Sequence, residues 1–228
     1  MTVTLAFADH TNKTSYIGTD SCASDSINHS IVKNNKVFHP VGRKDILIGI
    51  AGTFRMPNLL QYIPGIFPPE DELATDDIDM SYLVNEFTPI IKAITEDFDD
   101  SDAWEILIAV GDRIYRMQMD LSIIEPVDDM DAIGLGGSVA LGAFKVLNEL
   151  EPDMSVDDRI KHALKVACDT CQGCLPPFQL MNTEKLDDET LAKAKENRDN
   201  RERSGYEVIR REDEASDSTP KKKKKKKK

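Results

Sequence analysis

Cys168, Cys171 and Cys174 follow one another at two-residue gaps in "ACDTCQGC". Thiolates at that spacing ligate zinc or open an iron–sulfur ligand run, but both chemistries take four ligands. The fourth cysteine of the chain, Cys22, stands far away in the early segment "DSCAS". A second chemistry is carried at the other end, where Thr2 directly follows Met1. A methionine aminopeptidase is expected to remove Met1 before so small a residue. Thr2 would then hold a hydroxyl beside a free α-amine, whose ordinary pKa is about 8. Nucleophile and base belong to one residue in that arrangement, the N-terminal variant of hydroxyl nucleophile catalysis.

Other motifs fail on spacing. "GLGGSVALG" has Val139 where a dinucleotide fingerprint needs its third glycine, and no Gly-Lys-Ser/Thr phosphate loop occurs. Ser138 lies in Gly-Gly-Ser-Val-Ala, not the Gly-x-Ser-x-Gly of a hydrolase elbow. His10, His29, His39 and His162 have no ligand spacing, and the acid pairs Asp99-Asp100 and Asp128-Asp129 are read as solvated loop charges.

The elements that must position Thr2 are legible from period and punctuation. "TVTLAF" and "TSYIGTD" flank the polar turn "ADHTNK", which predicts a hairpin. "KVFHP" and "DILIGIAGT" predict a further strand pair, and "WEILIAVGDRIYRMQMD" two strands about Gly111-Asp112. Ser81–Phe98 repeats apolar residues at three and four, a helical period. "SVALGAFKVLNEL" and "SVDDRIKHALKVACDTC" predict two more helices, the second with Ser155 as N-cap and acids in its first turn. Strands followed by helices, twice over, indicate a layered α+β domain.

The 228 residues suit one sizeable domain, and 40% apolar content is ordinary for a soluble globular chain. The formal net charge is −12 even with the terminal run Lys221–Lys228 included. So acidic a body is a poor nucleic-acid surface, whatever the lysine tail does. No apolar run approaches a membrane span, no signal peptide is read, and the clustered cysteines suit a reducing cytoplasm. From Asn182 the composition turns almost wholly polar, with one candidate exposed helix, Glu189–Arg203, and a disordered end.

Taken in order, "TVTLAF…GTDSCAS…VKNNKVF…LIGIAGT…AIGLGGSVALGAF…ALKVACDTC" resembles the proteasome β-subunit and HslV-type N-terminal threonine peptidases, which are N-terminal nucleophile hydrolases. The likeness runs over residues 2–181. It implies a four-layer αββα sandwich over that range, followed by a C-terminal extension, 182–228. Val3 replaces the family's second threonine, and Cys22 and Ser24 depart from its Asp-Ser-Arg-Ala-Thr element, which here begins at Asp20. The family lysine, sixteen residues beyond that aspartate, falls on Lys36, with Lys33 a nearby competitor.

The resemblance implies roles. Thr2 Oγ would form an acyl-enzyme, and Lys36 would favour the unprotonated amine and the ionised hydroxyl. Asp20 would neutralise Lys36, the Gly52 N–H would face the oxyanion, and Asp169 would support the catalytic amine. Ala23, Ile50 and Phe54 would surround the substrate side chain and suggest a neutral apolar preference. No cofactor is required for the chemistry. Sodium would bind backbone carbonyls of Cys168, Cys171 and Cys174, leaving the thiols as bystanders. A homo-oligomeric double ring, a ring ATPase that feeds unfolded protein, peptide or protein substrates and a cytoplasmic location are implied too. Leu135 stands where the family often has serine, with Ser138 the nearest following hydroxyl. That departure and the extension motivate a second reading, a weak or silent structural subunit. A small-molecule amidase on the same fold is a third.

Overall fold

The computed structural model describes residues 2–24, 28–99 and 102–200. Met1, Asp100, the far end of the expected 189–203 helix and Lys221–Lys228 lie outside the described residues.

The expected hairpin is β1 (Thr4–Asp9) and β2 (Thr14–Thr19), paired from Thr4↔Thr19 to Asp9↔Thr14. Its turn closes on the Asp9 carboxylate, which accepts from the N–H groups of Thr11 and Asn12 at 3.0 and 3.1 Å. That register has a direct consequence for function. It brings the residues before β1 beside those after β2, so the Asp20 N–H donates to the Val3 carbonyl at 3.2 Å. β10 (Met130–Ile133) and β11 (Gln179–Asn182) complete a sheet in the order β10-β1-β2-β11. β3 (Cys22–Ser24) and β4 (His29–Ile31) form a separate short hairpin.

A second, antiparallel sheet has the order β5 (Val37–Phe38), β6 (Ile46–Gly52), β7 (Trp104–Val110), β8 (Arg113–Gln118), β9 (Ile123–Ile124). β6 and β7 read "ILIGIAG" and "WEILIAV", nearly continuous apolar runs, because both of their faces are covered. Side chains alternate across a strand, and the packing divides accordingly. Ile46, Ile48, Ile50, Ile106 and Ile108 join Met56, Leu60, Leu83 and Phe87 in one core. Leu47, Ala51, Leu107 and Ala109 instead meet Ala6, Ala8 and Ile17 of the first sheet. On that sheet's other face, Val3 and Leu5 pack with Phe144, Ile160 and Leu164.

Helical segments supply the outer partners. α1 (Arg55–Tyr62) lies beside β6, while α2 (Met80–Tyr82) and α3 (Thr88–Ile94) are joined by a π-helix, Leu83–Phe87. Pro89, on the first turn of α3, has no N–H to continue an α ladder. The Thr88 N–H and hydroxyl both donate to the Leu83 carbonyl, five residues back. α4 (Gly137–Leu150) and α5 (Val156–Thr170) pack on the first sheet, and Ser155 caps α5 by accepting the Asp158 N–H. The expected strand and helix segments were therefore found; β3, β4, β9, β10, β11 and α1 were not anticipated.

The polar segment past Met181 is fastened to the body of the chain by hydrogen bonds. Thr183 Oγ1 donates to the Gly111 carbonyl at 2.8 Å and accepts the Ser15 N–H at 2.9 Å. Residues 188–200 are helical, capped by Asp187. The helix buries Ala194 and pairs Arg198 with Asp77 at 2.9 Å. Few apolar residues were needed, because hydrogen bonds anchor the segment.

At the same end, His10 Nε2 lies 3.0 Å from Asp129 and Nδ1 3.2 Å from Asp112, tying three turns together. The hydrogen bonds to Asp129 and Asp112 raise the imidazole pKa. A raised histidine stabilises the fold below its unfolded pKa of about 6.5 and loses that contribution as pH rises through the folded value. His10→Gln is therefore expected to lower stability at pH 5.5 by no more than about 1 kcal/mol, since the pair is half exposed. At pH 8 the variant and parent should match in urea denaturation.

Candidate active site

Three side chains meet at the open end of the hairpin. Thr2, Asp20 and Lys36 are 4%, 0% and 3% exposed. Lys36 Nζ donates to Thr2 Oγ1 at 2.5 Å and to Asp20 Oδ1 at 2.8 Å. Since a carboxylate only accepts, Thr2 Oγ1 donates in turn to Asp20 Oδ1. Lys33, the competing lysine, is not part of this group; Lys36 takes the place because its backbone is pinned on both sides. Its N–H donates to Gln179 of β11, and its carbonyl accepts from Ile50 of β6.

Five donors converge on Asp20. Besides the ammonium and hydroxyl, Oδ1 accepts the Val3 N–H at 3.1 Å, and Oδ2 accepts those of Cys22 and Leu175 at 3.0 and 3.1 Å. A buried carboxylate needs such partners to remain charged. The Leu175 contact shows how the loop after α5 reaches the site: by a backbone N–H. Ser21 fastens the same loop, its N–H donating to the Leu175 carbonyl and its hydroxyl to that of Pro177. Backbone donors carry no residue-type signature, so the sequence could not disclose them.

Asp169 is the correction. Its side chain is 64% exposed and pairs with Lys165 at 2.5 Å, one helical turn earlier on α5. That i,i+4 pairing holds the carboxylate on the outer face, and the structure does not bring it to Thr2.

Thr2 opens on two cavities. The larger, about 390 Å³, is walled by Gly52, Trp104, Glu105, Gln118, Met119 and Leu135. The smaller crevice, about 10 Å³, lies between Thr2, Lys36, Ile50, Phe54 and Pro57. Lys36 Nζ stands 5.9 Å from the Phe54 ring centroid. Ile50 and Phe54 thus line the crevice, while Ala23 pairs with Ser30 in the β3–β4 hairpin and lines neither cavity.

Gly52 has φ +116°, and a Cβ there would meet the Ala103 carbonyl oxygen at 2.1 Å. Only glycine lets β6 end against β7 so closely beside Thr2. The segment after β10 holds Thr2 from another side. Gly136 N–H donates to the Thr2 carbonyl at 3.3 Å, and Glu105 Oε2 accepts the Gly134 N–H at 3.3 Å. Leu135, 56% exposed, sits at the cleft mouth between those two backbone contacts, and Ser138 is exposed in the first turn of α4.

Among the described residues no group of three or more His, Cys, Asp or Glu side chains is placed to hold a metal ion. Burial pushes Cys168 up to about 12 and Cys174 up to about 11, the nearby Asp20 charge adding to both. At pH 8 these thiols should alkylate with iodoacetamide at least about a hundredfold more slowly than an unperturbed cysteine. Peptide mapping after timed quenching measures this directly. Protein purified without chelator should carry far less than stoichiometric zinc or iron.

No protein-family model matches the sequence. Solved structures do match its fold. A Thiobacillus denitrificans BPH in complex with epoxomicin is 17% identical, covering 82% of this chain and 100% of its own, with a TM-score of 0.62. The HslV of Trypanosoma brucei is 15% identical over 80% of this chain and 99% of its own, at 0.58. An Anbu (Gly-1) mutant from Hyphomicrobium sp. strain MC1 is 11% identical over 92% of this chain and 100% of its own, at 0.55. The chain therefore has the mixed α and β fold of HslV and its proteasome-like neighbours. Among the described residues no helix is long and apolar enough to cross a membrane.

Proposed function

We propose that the chain is a threonine-type endopeptidase on a four-layer αββα sandwich, acting through Thr2 after removal of Met1. The observation that carries this reading is the buried contact of Lys36 with both Thr2 Oγ1 and Asp20. A surface threonine has no use for an ammonium 2.5 Å from its hydroxyl; a nucleophile does.

In the resting geometry the Thr2 proton points at Asp20. Attack requires it to turn to the freed α-amine, which takes it as Oγ1 bonds to the substrate carbonyl carbon. Lys36 stabilises the charge developing on Oγ1, and Asp20 balances the charge of Lys36. The Gly52 N–H would donate to the oxyanion. Collapse expels the leaving amine, which receives the proton, and leaves an ester on Thr2. Water, deprotonated by the same amine, hydrolyses that ester.

The crevice beside Ile50, Phe54 and Pro57 is small, about 10 Å³, with Lys36 in its wall, which supports a small neutral residue there. A homo-oligomeric double ring enclosing the sites, fed by a ring ATPase, belongs to the same reading, as does activity in the cytoplasm. Sodium would require oxygen donors, and the α5 terminus can supply them. The Cys171 N–H closes the helix on the Ala167 carbonyl, so the carbonyls of its last turn lie beyond the ladder. Cys168, Cys171 and Cys174 border one cavity of about 450 Å³ with Leu175. A cation on their carbonyls would brace the loop that donates to Asp20.

The test is hydrolysis of fluorogenic peptides by the assembled full chain, with small amides alongside. Peptide turnover supports the reading; turnover of small amides alone would favour the amidase. No turnover from a chain shown to have lost Met1 would favour a silent subunit.

A further inference from the structure

The two cavities flanking Thr2 differ in charge as well as size. On one side Lys36 lies behind the closed crevice. On the other, among the described residues, Glu105 is the one acidic or basic side chain in the wall of the larger cleft. Its partner Arg116 does not cancel it. Arg116 Nη2 meets Glu105 Oε1 at 2.5 Å, while Nη1 lies 3.8 Å from Asp131 Oδ1, so one guanidinium is shared by two carboxylates. Among the described residues the other Glu105 oxygen takes only the Gly134 N–H, at 3.3 Å, and a carboxylate oxygen has room for a second donor. The Glu105 side chain is 30% exposed, and Gln118, its antiparallel partner on β8, adds a neutral amide to the same wall. Trp104, Met119 and Leu135 supply apolar surface for the stem of a long side chain.

We propose that this cleft receives a substrate residue beside the scissile bond and that Glu105 makes it select a lysine- or arginine-type side chain. The apolar wall would carry the aliphatic stem and the carboxylate the charged head. A carboxylate in a low-dielectric cleft focuses its field on the bound residue, so one charge suffices for discrimination. Use of the site in turnover rests on the peptidase reading; binding does not.

Trp104 is the sole tryptophan of the chain, so its fluorescence reports occupancy of this cleft. The experiment titrates full-length Thr2→Ala protein with short N-acetylated peptide amides that differ at one residue: lysine, alanine or glutamate. The lysine peptide should bind about five- to tenfold more tightly than the alanine peptide and the glutamate peptide more weakly than either, with the differences shrinking in high salt. Adding Glu105→Gln, which keeps an acceptor for Gly134, should bring the three within about twofold. Gln118→Glu should widen the lysine preference and serves if Glu105→Gln does not fold. Equal affinities in the parent, a glutamate preference, no saturable fluorescence change, or a lysine preference unaltered by these changes would overturn the proposal. Failure of the peptidase reading would show separately, as absent hydrolysis by the Thr2-intact chain.

Discussion

Thr2→Ala abolishes peptide hydrolysis, by at least about a thousandfold, and leaves the fold in place. Deleting a catalytic nucleophile typically removes all but the binding and oxyanion contributions to rate. The structural cost is small because Lys36 Nζ keeps its 2.8 Å contact with Asp20 when the hydroxyl is gone. The loss of the two hydrogen bonds of that hydroxyl, one from Lys36 and one to Asp20, should cost about 1–3 kcal/mol, a melting shift of roughly 2–10 °C for a chain of this length. Thr2→Ser, which restores a hydroxyl at the same position, should recover a measurable part of the rate. Rate assays and thermal melts on the same preparations check both halves. A Thr2→Ala protein with parental turnover would remove Thr2 from the chemistry.

The second large effect separates the two partners of Thr2. Lys36→Met removes the counter-ion of Asp20 but leaves that carboxylate four donors, Thr2, Val3, Cys22 and Leu175. Asp20→Ala strands a great deal, because it leaves a 3% exposed ammonium without a counter-ion and orphans three backbone N–H groups. Breaking a buried pair in that way costs about 3–5 kcal/mol. Lys36→Met should cost only about 1–3 kcal/mol in stability, yet lower turnover at least about a hundredfold by withdrawing charge from Oγ1. Removing both partners should cost less than the sum of the two single changes. Urea denaturation of the three variants gives the order, and a Lys36 variant less stable than the Asp20 variant would contradict the geometry.

What the sequence disclosed follows from which signals are local. Alternation and helical period mark β1, β2, β6, β7, α4 and α5, because each buries at least one face in a regular rhythm. Short β3, β4, β9 and β11 have too few residues to show a rhythm, and α1 carries Pro57 inside it. Spacing from the resemblance singled out Thr2, Asp20, Lys36 and Gly52, and the first three are in contact. It failed at Asp169, where Lys165 on the same helix captures the carboxylate. Glu105 was invisible because a single acid in an apolar strand looks like ordinary alternation; only the fold shows that its face borders Thr2. The docking of 183–200 was hidden for a similar reason, since it depends on Thr183, Asn197 and Arg198 finding partners more than seventy residues away.

The most direct test of the central claim is the intact mass of the full chain after incubation with an epoxyketone, beside a Thr2→Ala control. An epoxyketone closes a ring on both the hydroxyl and the free α-amine of an N-terminal threonine, so it reports nucleophile and base together. The predicted result is a chain lacking Met1 that gains one inhibitor mass, with no gain in the control. A chain that retains Met1, or one that has lost it and gains no adduct, would contradict Thr2 catalysis.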